Sequence, residues 1–104
     1  MNFVKEVIEF VKAIPRTIAN AEITKQVIRS SGSIGANYIE ANESLSKKDF
    51  VMRIKICRKE SKESSYWLKL AEVKNSSGEN QRRVLIEEAT QLTKILSAIV
   101  EKSR

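Results

Sequence analysis

The chain has 104 residues, 41% of them hydrophobic, which is material for one small domain over residues 1–104 that buries roughly two-thirds of its unfolded surface. Three glycines and one proline are too few for a many-turned β fold, so the composition predicts an all-α domain. Nineteen basic against thirteen acidic residues leave a net charge of +6, which favours polyanions and disfavours basic partners.

The first fifteen residues, MNFVKEVIEFVKAIP, place Val4, Val7, Val11, Ile14 and Ile18 just beyond at steps of three and four, with Phe3 and Phe10 beside them. That period predicts an amphipathic helix. Pro15 cannot donate to Val11 and disfavours helical geometry at the residue before it, so a stop or kink is expected near Ala13 to Ile14. Glu6 and Glu9 interrupt the apolar pattern, unlike a signal peptide. No stretch is long enough to span a bilayer, so a cytoplasmic protein with no membrane association is expected.

Thr24 can cap a second helix reaching about Glu43, and Ser46 a third, with Asp49 in its first turn, reaching about Lys74. The third helix would then be on the order of 40 Å long, more than a compact monomer needs, which suggests assembly. The run NSSG provides a stop in which Gly78 is free to take positive φ. A fourth helix follows from about Glu79, with Leu85, Ala89, Leu92, Leu96 and Ile99 as its seam. Short connections make successive helices antiparallel neighbours in an up-and-down four-helix bundle.

Gly32 and Gly35 in SSGSIGANY pose a choice between a phosphate-clamping loop and a helix. On a wheel of about 100° per residue, residues 22 to 43 separate into three continuous stripes, which a loop would break. Ile23, Val27, Ser30, Ile34, Tyr38 and Ala41 form a core face; Gln26, Arg29, Ser33, Asn37 and Glu40 form a polar ridge. Ile28, Gly32, Gly35 and Ile39 form the third stripe. Glycine inside a helix costs about 1 kcal/mol relative to alanine, so this stripe asks for close approach by another helix, within the bundle or from a second subunit.

On the third helix, Phe50, Ile54, Cys57, Ser61, Ser64 and Leu68 share the bundle side, with Trp67 and Ala71 at its border. Opposite them, Lys48, Lys55, Lys59, Lys62 and Lys69 fall within an arc of roughly 80°. Nine basic and four acidic residues between Lys47 and Lys74 put +5 of the chain's +6 on this one element. Such a face is either merely solvated or a surface for RNA or DNA. Tyr66 and Trp67 are the only candidates there for base stacking, and Trp67 reads as core, so binding is expected to go through phosphates with little sequence preference.

No active site emerges. Glu40, Glu60 and Glu63 could suggest a di-iron carboxylate site, but such sites in bundles use Glu-x-x-His pairs and the chain has no histidine. No metal and no cofactor are expected. The same carboxylates, with Arg29 and Asn37, read as a partly buried polar network. Cys57, the single cysteine, lies in the apolar seam without a histidine base, which predicts an inert packing role and fits a reducing compartment.

The segments KQVIRSSGSIGANYIEA and SKKDFVMRIKICRKESKESSYWLKL resemble the four-helix bundle family first noticed in intervening sequences of 23S ribosomal RNA genes. The combination that carries the resemblance is Gln26, Arg29, Ser33, Ile34, Asn37 and Glu40 on one helix, then Phe50, Glu60 and Glu63 on the next. Ala41 stands where many members have glycine, and Cys57 where alanine is expected. The resemblance implies an up-and-down bundle assembled as a ring-like homopentamer. It also implies kinship to basic, nucleic-acid-binding accessory proteins of reverse transcriptases in diversity-generating retroelements. The leading expectation is thus a non-enzymatic oligomer binding RNA or DNA through the third helix. The alternative is a scaffold or accessory subunit whose basic face docks a protein partner such as a polymerase.

Overall fold

The computed structural model describes residues 2–104, which form four helices: α1 (Phe3–Ala13), α2 (Ile18–Asn42), α3 (Lys47–Leu70) and α4 (Ser76–Lys102). Among the described residues there is no strand. α2 packs along α3 and α3 along α4, while α1 bridges α2 and α4 to close an up-and-down four-helix bundle. The bundle measures 46 × 19 × 19 Å. At about 1.5 Å per residue α2, α3 and α4 each run about 36–40 Å, so α3 is no longer than its neighbours. Its length fits inside one elongated chain and does not itself require a partner.

Local chemistry sets the helix ends. Ser46 Oγ accepts from Asp49 N at 3.1 Å, which starts α3 where the sequence places it. α1 stops at Ala13, and Ile14, just before Pro15, is extended. α2 begins earlier than expected: Thr17 Oγ1, not Thr24, caps it by accepting from Asn20 N at 3.0 Å. Thr17 is the first capping residue after the proline turn, so no further linker forms. Ile18 consequently opens α2 at 94% exposure and takes no part in the α1 seam.

The α3–α4 link also departs from the sequence reading. α3 ends at Leu70, and α4 starts at Ser76, with Asn75 Oδ1 accepting from Gly78 N at 2.9 Å. Gly78 is helical and not at positive φ. A Cβ on it would lie 3.3 Å from Val73 Cβ, so glycine makes room for the link to pack on the helix. α3 stops early because side chains take over its next backbone groups. Arg82 donates to the Ala71 carbonyl, and Asn20 holds both backbone groups of Glu72.

In the core, α1 buries Phe3, Val7, Phe10 and Ile14, a seam turned by one residue from the expected one, with Val4 and Val11 at its edges. Two phenylalanines remove more apolar area from water than two valines, which decides the rotation. Opposite lie Ile23, Val27 and Ile34 of α2, Ile54, Cys57 and Leu68 of α3, and Leu85, Ala89, Leu96 and Val100 of α4. Small hydroxylic residues join the long helices at close range. Ser30 and Ser64 share a hydrogen bond of 2.8 Å between α2 and α3, and Ser61 and Thr93 one of 2.8 Å between α3 and α4.

α1 has only 11 residues and covers less than half the bundle length. Past its N-terminal end, where Phe3 meets Leu92 and Ile95, α2 and α4 are left uncovered over an apolar trough of about 190 Å³ lined by Ile34, Tyr38, Leu92, Ile95, Leu96 and Ile99. Tyr38, expected in the core, is therefore 41% exposed.

Candidate nucleic-acid interface

Lys48, Lys55, Lys59, Lys62 and Lys69 are all exposed along the outer face of α3. Among the described residues none of them enters an ion pair, whereas Lys12, Lys25, Arg29, Arg82, Arg83 and Arg104 each do. The acids of the same helix point elsewhere. Glu60 is buried and Glu63 half-buried, and both are engaged by Arg29 of α2. The row of ammonium groups thus keeps its charge uncompensated over about 30 Å of helix.

The polar ridge of α2 forms two clusters against α3. In the first, Arg29 Nη1 donates to Glu60 Oε2 at 3.0 Å and Nη2 to Glu63 Oε1, while Trp67 Nε1 donates to the same Glu63 oxygen at 3.3 Å. The hydrogen bonds to Glu63 and then Glu60 push the Arg29 pKa further up. Glu63 is held below the usual carboxylate range by the adjoining Glu60 carboxyl, the Trp67 indole and the Arg29 guanidinium. In the second cluster, Asn37 Nδ2 donates to Ser33 O at 2.9 Å, and Asn37 Oδ1 accepts from Arg53 at 3.0 Å.

Glu40 does not join the network expected of it. It is exposed and makes no ion pair among the described residues, because eleven residues of helix place it about 16 Å along α2 from Arg29. Arg53 was missed in the sequence, although its position one turn before Cys57 puts it beside the seam.

The four residues of the glycine stripe are found on one open face. A Cβ at Gly32 or Gly35 would meet nothing within 4 Å, while Ile28 is 37% and Ile39 64% exposed. The glycines therefore admit no other helix of this chain, and the within-bundle explanation of them is set aside. Cys57 is fully buried and its thiol donates to Ile34 O at 3.3 Å; burial pushes its pKa up, away from thiolate chemistry. No group of three or more metal-ligating side chains occurs among the described residues.

The model of the 23S rRNA-intervening sequence protein family matches residues 1–98, almost the whole chain. The chain belongs to that family. Among solved structures it is similar to a protein of unknown function from the S23 ribosomal protein family of Bacteroides thetaiotaomicron, with 28% identity and a TM-score of 0.77. That similarity covers 95% of this chain and 92% of the other. No curated protein matches. In this member of the intervening-sequence family, the Arg29–Glu60–Glu63 cluster ties α2 to α3, and no helix is long and apolar enough to cross a membrane among the described residues.

Proposed function

We propose that the protein is a non-enzymatic, cytoplasmic, self-assembling bundle that binds RNA or DNA through phosphates along the outer face of α3. The observation that carries this reading is the row of five exposed lysines on one face of α3, none of which enters an ion pair among the described residues, while the nearest acids of that helix, Glu60 and Glu63, are engaged by Arg29. Lysine contacts to phosphates release condensed counterions and read no base edges, so binding is salt-dependent and sequence-tolerant.

Assembly, as the homopentamer that the resemblance implies, is supported by apolar surface that the bundle leaves open. The stripe of Ile28, Gly32, Gly35 and Ile39 on α2 adjoins the trough at Tyr38, and Ile95 extends it onto α4. Contiguous apolar surface of this kind marks interaction sites. Repetition of the α3 face around an oligomer multiplies weak phosphate contacts into avidity.

Purification under low salt tests the reading. Nuclease-sensitive absorbance co-purifying with an oligomer is expected. A stoichiometric protein without nucleic acid would overturn it in favour of a scaffold that docks an acidic or nucleic-acid-bound partner.

A further inference from the structure

The lysine face holds one residue that phosphates do not need. On a wheel of about 100° per residue, Tyr66 lies in line with Lys48 and between Lys59 and Lys62, near the middle of the arc. It is 56% exposed. Its ring is braced edge-to-face on Trp67, with centroids 5.1 Å apart and planes at 70°. Trp67 is itself fixed, packed against the core and donating from Nε1 to Glu63. An exposed aromatic ring with an immobile support loses little freedom when a flat partner stacks on it.

We propose that Tyr66 is a base-stacking platform and that the α3 face takes single-stranded RNA or DNA in preference to duplex. This rests on the polyanion reading of α3. The lysines on either side follow the sugar-phosphate backbone, while Tyr66 takes the face of an unstacked base. A duplex has no such face to offer, since its bases are stacked on one another. Every base has a π face, so stacking adds affinity without adding sequence preference. Met52 and Leu70, both exposed, border the arc and offer apolar contact to the adjoining sugars.

The test is fluorescence anisotropy with a labelled oligo-thymidine strand and a duplex of equal length. The proteins are the parent, Tyr66→Ala, Tyr66→Phe and the triple variant Lys55→Glu, Lys59→Glu, Lys62→Glu, each checked for helicity by circular dichroism. The parent is expected to favour the single strand, with Tyr66→Ala losing roughly ten-fold on it and little on the duplex, and Tyr66→Phe retaining the preference. Equal affinity for both nucleic acids with no effect of Tyr66→Ala, while the lysine variant loses both, overturns the stacking role and leaves the phosphate face standing. Absence of binding by the parent overturns both.

Discussion

The carboxamide of Asn20 closes a two-way link with the backbone of Glu72, donating to its carbonyl at 2.9 Å and accepting from its N–H at 2.9 Å. The same Nδ2 donates to Pro15 O at 2.8 Å, and Thr17 Oγ1 donates to the Glu72 carboxylate at 2.8 Å. The α1–α2 and α3–α4 links are thereby fastened to each other at one end of the bundle. Asn20 is 2% exposed, so water cannot easily replace it. Asn20→Leu should then leave buried backbone groups of Glu72 and Pro15 unpaired, destabilising by about 2–4 kcal/mol. Urea denaturation followed by circular dichroism measures it, and a loss within a few tenths would show that the links repack.

Arg29 offers a second stability test with a smaller expected size. Glu60 has only 6% side-chain exposure, but Arg29 keeps 49%, so solvent screens much of the attraction. A double-mutant cycle of Arg29→Ala and Glu60→Gln should report a coupling of about 1 kcal/mol, below the figure for a fully buried pair. Additive effects would show the contact to be energetically neutral.

What could be read in the sequence was what is local. The Ser46 cap, the stop before Pro15 and the α3 seam depend on neighbours one or two turns away, and hydrophobic period and cap chemistry expose them directly. The start of α2 at Ile18 and the end of α3 at Leu70 were hidden. The end of α3 depends on Asn20 meeting Glu72, 52 residues distant, which no local pattern marks, whereas the start of α2 rests on the local Thr17 cap, one of two threonines that could have served. Gly78 was misread for a related reason: the space it leaves is for Val73, which only the folded link brings there. Within the candidate site, the lysine arc was legible because a charged stripe opposite an apolar seam is forced outward. The openness of the glycine stripe was not, since a helix wheel cannot say which of two weakly apolar faces another helix of the chain will cover.

Two carboxylates give opposite pH signatures. Glu88 on α4 is raised by burial and by the adjacent Glu6 of α1, so its favourable contribution is present at low pH and is lost as pH rises through its folded pKa. Glu88→Gln should therefore raise the melting temperature at neutral pH and leave it unchanged below about pH 4, where the carboxyl is already protonated. Glu63, lowered by its partners, contributes above its unfolded pKa and loses that contribution as pH falls through the folded one. Glu63→Gln should thus lower the melting temperature at neutral pH and converge on the parent in acid. Parallel pH profiles for either variant and the parent would refute its assignment.

The open glycine stripe separates folding from assembly. Because a Cβ at Gly35 would meet nothing of the packed bundle within 4 Å, Gly35→Leu should preserve the helical content of the bundle, and the gain in helix propensity of up to about 1 kcal/mol favours the isolated fold. A leucine projecting from a face that another subunit approaches closely should weaken association. Light scattering at micromolar concentration is expected to give an oligomer for the parent and a lower mass for the variant. A parent that is monomeric, or a variant of unchanged mass, would remove α2 from the assembly surface.

The lysine row makes the most direct prediction about function. If several of its ammonium groups displace counterions from phosphates, log affinity should fall linearly with log salt at about 0.7 to 0.9 per phosphate neutralised. Lys55, Lys59 and Lys62 are exposed and outside every ion pair among the described residues, so replacing all three with glutamate removes no internal contact. The melting temperature should change little. Binding to long single-stranded RNA should disappear at moderate salt, since three attractive charges become repulsive, and any residual affinity should show a shallower salt slope. Long strands should lose more than short ones, because an oligomer engages them through several copies of the face at once. A triple variant that binds like the parent, with the parent's salt slope, would show that the phosphates are held elsewhere and that the α3 face is only solvated.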